Sequence, residues 1–427
     1  MKKRSWLFVL TVLLLGISLS APAFAADEVT IRMSWWGGDS RHKATVAALK
    51  KFQEKYPHIK VKAEYTGWSG HLEKLTTQIA GGTEADLMQV NWNWLSIFSK
   101  RGTGFADLNN FKDIIDLSQW DETLLTAGTM GDKLNGLPVS ATGRVFFLNK
   151  STYQKAGIEV PKTWDELIAS AASFRDNLGQ GYYPFDATDL NGWLMTVLVA
   201  TQQTGKSFID PDTSKVAWTK AELVKALTFY QNLVDKGVLK SMKAAASEGE
   251  VKLHEKKEWM EGKLAGSYEW DSTFFKYSKV IKDGELVPVP TLITKNAVSE
   301  GMFRKPSMTF AISKNSKHPK EAAMLLNFLL NEPEGIIALG ATRGIPANKK
   351  AEALLAKEKL IAPELLAAHE IIVKGEAPRI SPYFEHFKLQ DLYRGTMEEI
   401  AYNKISIDEA AEKFIREGNR ILKRLSK

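Results

Sequence analysis

The feature that restricts this chain most is an alternation of short apolar segments with helical periodicity near its N-terminus. Val29 to Trp35, Ile59 to Thr66 and Asp86 to Trp92 read as strands. Between them, Asp39 to Tyr56 and Ser69 to Ala80 read as helices, with Val46, Leu49 and Phe52 at three- and four-residue spacing. Asp39 and Ser69 are candidate N-caps, and Gly81-Gly82 is a stop. Right-handed crossovers place such strands parallel in one sheet covered by helices, so the first lobe is expected to be α/β. A second lobe is expected after Gly136-Leu137-Pro138. It opens with an extended run, Arg144 to Leu148, a turn at Gly157 and a helix headed by the capping-box pattern Thr163…Glu166. Ala171 to Lys295 reads mostly helical, including an amphipathic stretch from Lys220 to Lys236. The extended Ser307 to Ile312 then leads into a helix from Lys320 to Leu330, and Pro346 and Ala347 break the chain before a helical tail. A chain of 427 residues without cysteine must be stabilised by packing, which two cores can supply.

The N-terminus carries Lys2, Lys3 and Arg4, an apolar run from Trp6 to Leu19, and Ala23-Phe24-Ala25 as a small-x-small cleavage signal. The run is shorter than the roughly 20 residues that span a bilayer, so cleavage before Ala26 and a periplasmic destination are expected. Without the leader the chain holds 54 Lys+Arg against 50 Asp+Glu, only mildly basic and without the concentrated stripes of a nucleic-acid binder.

Three loops follow the three strands and each holds tryptophan: Trp35-Trp36-Gly37-Gly38, Gly67-Trp68-Ser69-Gly70 and Asn91-Trp92-Asn93-Trp94. Ligands of open parallel sheets bind beyond the carboxyl ends of the strands, so these loops are expected to converge on one site. Indole faces suit the C–H faces of pyranose rings, and the glycines permit close approach of backbone or ligand. Any single indole could instead fill the core, Trp94 at a helix start above all. Arg41, Arg144, Arg304, Arg343 and Arg379 add planar guanidinium groups that bind carboxylates in bidentate fashion, and so favour an acidic sugar. Each could equally serve a surface or inter-lobe ion pair.

The Trp-Trp-Gly-Gly loop, the phrase from Leu75 to Asp86 (LTTQIAGGTEAD), and Phe147 to Lys150 through Thr163-Trp164-Asp165-Glu166 resemble family 1 extracellular solute-binding proteins. Several phrases are most similar to the branch that binds oligogalacturonides, the acidic oligosaccharides of pectin. The resemblance implies a type II periplasmic-binding-protein fold. Two parallel-sheet lobes are joined by hinge strands, with Val139 to Phe147 and Ser307 to Ser313 at the crossings. The first lobe would comprise 26–140 plus about 308–345, and the second about 145–305 plus 346–427. A sugar would be held in the cleft, with delivery to the membrane permease subunits of an ABC importer. Trp270, within Ser267 to Ser272, matches the sugar-stacking segment of the second lobe, with Asp271 beside it; Trp193 and Tyr383 are further candidates. A monomer without cofactor or metal is expected. The competing readings are a receptor for a neutral oligosaccharide and a carbohydrate-active enzyme using Glu269 and Asp271 as paired carboxylates. The seven histidines show no metal-ligand spacing, and neither a Walker loop nor a Gly-x-Gly-x-x-Gly follows a strand.

Overall fold

A computed structural model describes residues 28–426 except 189, 247, 248, 250 and 283; the expected leader lies outside the described residues. The N-terminal alternation is realised as β1 (Val29–Trp36), α1 (Asp39–Lys55), β2 (Ile59–Thr66), α2 (His71–Gly81) and β3 (Leu87–Asn91). β1 pairs in parallel with both β2 and β3. Neither Asp39 nor Ser69 is the cap: α1 starts one residue earlier than a cap at Asp39 would place it, and α2 one residue later than a cap at Ser69 would. Gly38 is the N-cap of α1 and Gly70, with φ at 78°, that of α2, neither supplying a side chain. Gly82, also left-handed, ends α2 as expected. β2 lies at the sheet edge with Lys60, Lys62 and Glu64 along it, charges that discourage further strand addition.

The remaining strands make the sheets mixed rather than parallel. β4 (Leu137–Asn149) is thirteen residues long and buried throughout. Its first half pairs antiparallel with β7 (Arg304–Ile312), which pairs antiparallel with β3. Its second half pairs antiparallel with β5 (Gly266–Trp270) on one side and β6 (Leu286–Val289) on the other. One strand therefore belongs to both lobes. It crosses at Gly143, opposite Arg304, where an added Cβ would lie 2.6 Å from the Phe303 carbonyl. β7 pairs with β4 from Arg304 to Phe310 and with β3 from Met308 to Ile312.

Packing follows this division. One core holds Ile31, Leu49, Phe52, Leu87, Phe310 and Leu326. The other lobe has a core on each face of its sheet: Phe146, Trp164, Leu227 and Tyr393 on one, and Val145, Phe147, Trp259 and Ile372 on the other. The segment after Pro346 differs from expectation. Asn348 Nδ2 donates to the Leu330 carbonyl (3.0 Å), and Ala351 and Leu355 pack against Ile336, so the helix Lys349–Lys357 stays with the first lobe. The chain rejoins the second lobe with the helix Pro363–Lys374, whose Ala368 and Ile372 lie under the β4 face. The capping box expected at Thr163 is half formed: Thr163 accepts from Glu166 N, while Glu166 reaches Lys162 N. A complete box heads the amphipathic helix Lys220–Asp235 through Thr219 and Glu222. No single described helix is long and apolar enough to cross a membrane.

Candidate ligand-binding cleft

The carboxyl ends of β1, β2 and β3 bring Trp36, Trp68 and Trp94 into one cluster, with ring centroids 5.2–5.3 Å apart. Trp68 stacks on Trp94 and is 55% exposed, leaving one indole face open to solvent. A large aromatic surface held on its neighbours and bare on the outside is a stacking platform. Trp94, expected to be core, is buried but forms the platform's backing. His71 closes the cluster 5.2 Å from Trp36, its Nδ1 at 2.7 Å from Thr66 Oγ1. Burial pushes its pKa down to about 4, keeping the ring neutral.

Trp35 departs from expectation. It is fully buried, its Nε1 donating to His42 Nδ1 (3.1 Å) and its ring against Tyr65, so it belongs to the first-lobe core. Alternation along β1 sends adjacent side chains to opposite faces, so only one of the pair joins the cluster. Gly37 leaves room for Arg41 to fold back, since a Cβ there would lie 2.6 Å from Arg41 Cδ. Gly38 is exposed and open to approach. Arg41 donates to the Thr342 and Trp36 carbonyls. Asn91 caps the turn Trp92–Trp94 by accepting from Trp92 N.

At the crossing strands, cations and indoles alternate. Trp92 is buried, with its Nε1 on the Ala127 carbonyl (2.8 Å). Lys305 Nζ lies 5.5 Å from its ring centroid and 4.8 Å from that of Trp270, and the Arg144 guanidinium lies 4.6 Å from the Trp270 centroid. Trp92, Lys305, Trp270 and Arg144 thus form a ladder running from the first lobe through β7 into the second. Lys305 pairs with Glu385 (2.7 Å). Sequence reading missed Lys305, which nothing local distinguishes from its neighbour Arg304.

Several expected ligand contacts are already engaged. Arg144 is buried, its Nη1 donating to Asn191 Oδ1 (3.0 Å), the Tyr268 carbonyl and Glu269, with its guanidinium over Trp270 and its Nε without a hydrogen-bond partner. Asp271 is buried, accepting from Thr142 Oγ1 (2.6 Å) and pairing with His369 (2.8 Å), and so ties β4 to the second lobe. Trp193 fills the second-lobe core, stacked on Phe414 at 4.2 Å and Tyr393 at 4.9 Å. Arg379 is exposed and paired with Asp212 (2.8 Å). Arg343 is buried under the first lobe, donating to Gln89 Oε1 and Thr45 Oγ1. Arg304 donates to the Val373 carbonyl (3.4 Å), its one side-chain hydrogen bond among the described residues. It lines a cavity of about 290 Å³ between the lobes, with Trp92, Lys305, Arg379, Tyr383 and the segment Thr123 to Gly131. Among the described residues no group of three or more metal-ligating side chains is arranged to hold an ion.

Comparison with known proteins agrees with this architecture. Residues 38–336 match the family described as bacterial extracellular solute-binding protein. A periplasmic oligogalacturonide binding protein from Yersinia enterocolitica, in complex with saturated digalacturonic acid, is similar at 43% identity with a TM-score of 0.81, over 94% of this chain and 100% of that one. A periplasmic solute binding protein from Pectobacterium atrosepticum is 40% identical with a TM-score of 0.86, over 93% of this chain and 100% of that one. Curated relatives match over less. A binding protein from Brucella abortus is 34% identical over 172 residues, 40% of this chain and 42% of that protein. A diacetylchitobiose binding protein from Streptomyces coelicolor is 31% identical over 179 residues, 40% of this chain and 41% of that protein. The chain thus spans about two fifths of the length of these curated relatives. With two lobes joined by crossing strands and a family match over most of its length, the chain belongs to the bacterial extracellular solute-binding proteins.

Proposed function

We propose that this chain captures acidic pectic oligosaccharides, oligogalacturonides such as digalacturonate, in the periplasm and delivers them as a monomer to the permease subunits of an ABC importer. The observation that carries the reading is a surplus of positive charge beside the aromatic surfaces. Arg41, Arg304 and Arg343 hydrogen-bond only to neutral groups among the described residues. Arg304 lines the cavity that Trp92 also lines and Arg41 donates to the Trp36 carbonyl, and cations without a carboxylate partner in a cleft that holds indoles suit a ligand with an apolar ring face and a carboxylate on each ring. The oligogalacturonide binding protein from Yersinia enterocolitica, similar over the full length of its chain, supports the same ligand class. The diacetylchitobiose binding protein supports a neutral ligand over a much shorter match. The pair named for an enzymatic role is engaged: Glu269 is held by Arg144 and Asn191, and Asp271 by His369 and Thr142.

Calorimetry with digalacturonate and the matching neutral galactose disaccharide, at low and high salt, tests this. Charge-assisted hydrogen bonds contribute roughly 1.5–3 kcal/mol each, so two of them separate the ligands by about 3–6 kcal/mol, two to four orders of magnitude in affinity. Equal affinities refute the uronate assignment and leave a sugar receptor standing. Failure of both to bind refutes the pectic reading.

A further inference from the structure

Where β7 enters the first lobe it is paired on one side only. β4 accompanies it from Arg304, but β3 meets it only from Met308 on, so the stretch Arg304 to Pro306 keeps one edge free. The cavity of about 290 Å³ lies against that stretch. Trp92 and residues between Thr123 and Gly131 wall it from the first lobe, and Pro378 to Tyr383 from the second. Its volume is close to the lower limit of small-ligand pockets, about 300 Å³.

The charge around it is one-sided. Among the described residues Arg304, Lys305 and Arg379 line the cavity and no aspartate or glutamate does. Lys305 is compensated by Glu385, and Arg379 by Asp212 in a pair exposed enough for solvent to screen it. Arg304 has no such partner. Its Nη1 reaches the Val373 carbonyl at 3.4 Å, a long hydrogen bond, and its Nε is buried without a hydrogen-bond partner. A buried donor on a charged group is costly to leave unmade. Val373 lies in the last turn of the helix Pro363–Lys374, just ahead of the Pro378 to Tyr383 wall, which holds the guanidinium beside the cavity.

The other walls suit a sugar ring. Trp92 and Tyr383 make them aromatic, and Thr126 and Ser214 add hydroxyl groups. Burial pushes the Tyr383 phenol above its ordinary range, so it stays a neutral donor. Trp92 also begins the three-residue turn whose last residue, Trp94, backs Trp68, so the cavity and the aromatic platform flank the same turn.

We propose that this cavity is a carboxylate pocket of the cleft, with Arg304 as its contact residue: a ring carboxylate of the bound sugar takes the guanidinium donors that the fold leaves unused, while Glu385 stays on Lys305. Naming that carboxylate a uronate rests on the proposed function; the place of the charge rests on the cavity itself.

The test compares Arg304→Gln and Arg304→Lys with the unsubstituted chain by calorimetry, alongside Thr126→Glu, which sets a carboxylate at the exposed first-lobe rim of the cavity. Arg304→Gln is expected to weaken digalacturonate about 10- to 100-fold, the worth of one charge-assisted contact, with Arg304→Lys recovering part of the loss. Thr126→Glu should weaken it in the same sense, more at low salt than at high. The neutral galactose disaccharide should bind all of these proteins alike. Digalacturonate affinity that Arg304→Gln leaves unchanged overturns the pocket while the acidic-sugar reading stands. An equal loss for both disaccharides overturns it too, since Arg304 then only anchors the turn at Val373. Should Arg304→Gln not fold, Thr126→Glu decides by the same comparison. If the unsubstituted chain does not bind digalacturonate, the acidic-sugar reading falls, and the pocket with it.

Discussion

Glu385→Gln probes the rung of the ladder that joins the lobes. Lys305 comes from the crossing of β7 and Glu385 from the short turn Pro382–Glu385 of the second lobe, whose carbonyl also accepts from Asn93 of the first. Their side chains are 8% and 16% exposed with nitrogen and oxygen 2.7 Å apart. At an effective dielectric of 20 the gross attraction at that distance is about 6 kcal/mol, most of it offset by desolvation. Removing the carboxylate leaves Lys305 buried between two indoles without a counter-charge. Breaking such a pair costs about 3–5 kcal/mol, and the lower end applies because Glu385 reaches solvent and glutamine keeps an acceptor. At about 2–4 °C per kcal/mol for a lobe of this size, 3 kcal/mol is a drop of about 6–12 °C in melting temperature. The double variant Lys305→Met, Glu385→Gln should recover most of it, because replacing both charges removes the orphan. Saturating digalacturonate should stabilise Glu385→Gln more than the unsubstituted chain, its carboxylate taking the vacated place on Lys305. Differential scanning calorimetry of the three proteins is the assay. A single variant melting within about 1 °C of the unsubstituted chain, or a double variant no more stable than the single, refutes the reasoning.

Trp68→Ala should weaken sugar binding with little change in melting temperature, since its outer face is bare. Trp193→Ala should cost about 3–5 kcal/mol of stability with affinity nearly intact, as expected for a fully buried aromatic, and the opposite pattern would exchange their roles. His71 has a folded pKa of about 4 against 6.5 unfolded, so the unfolded chain binds the extra proton and stability falls as pH drops from 6.5 towards 4. The loss is about 2–3 kcal/mol from this residue, and His71→Gln should flatten that part of the melting-temperature profile between pH 7 and 4.5. Ligand should bring the lobes together about the crossings at Gly143 and Arg304; an unchanged radius of gyration at saturating digalacturonate in solution scattering would argue for a rigid site.

Much of the first lobe was legible because its determinants are local. Apolar spacing marks α1, strand–helix alternation forces β1, β2 and β3 to be parallel, and the tryptophan loops had to meet beyond the carboxyl ends of those strands. The crossing at Val139 to Phe147 came from the family resemblance; the antiparallel pairings of β4 and β7 were not legible, since strand pairing is chosen by partners more than a hundred residues away. Nor could the sequence tell Trp35 from Trp36. Adjacent strand residues face opposite sides and both indoles are buried, and only the packing of Trp35 on Tyr65 and His42 and of Trp36 on Trp68 and Trp94 shows which one joins the aromatic cluster. The arginines divide on the same ground. Arg144, Arg379, Arg41 and Arg343 are chemically alike in sequence, yet Glu269 and Asp212 neutralise the first two while the others meet only neutral acceptors. Local chemistry determines what a side chain can bind; the tertiary fold decides whether a carboxylate of the protein has already taken the place, because the field that a ligand meets is the sum over neighbours that only folding assembles.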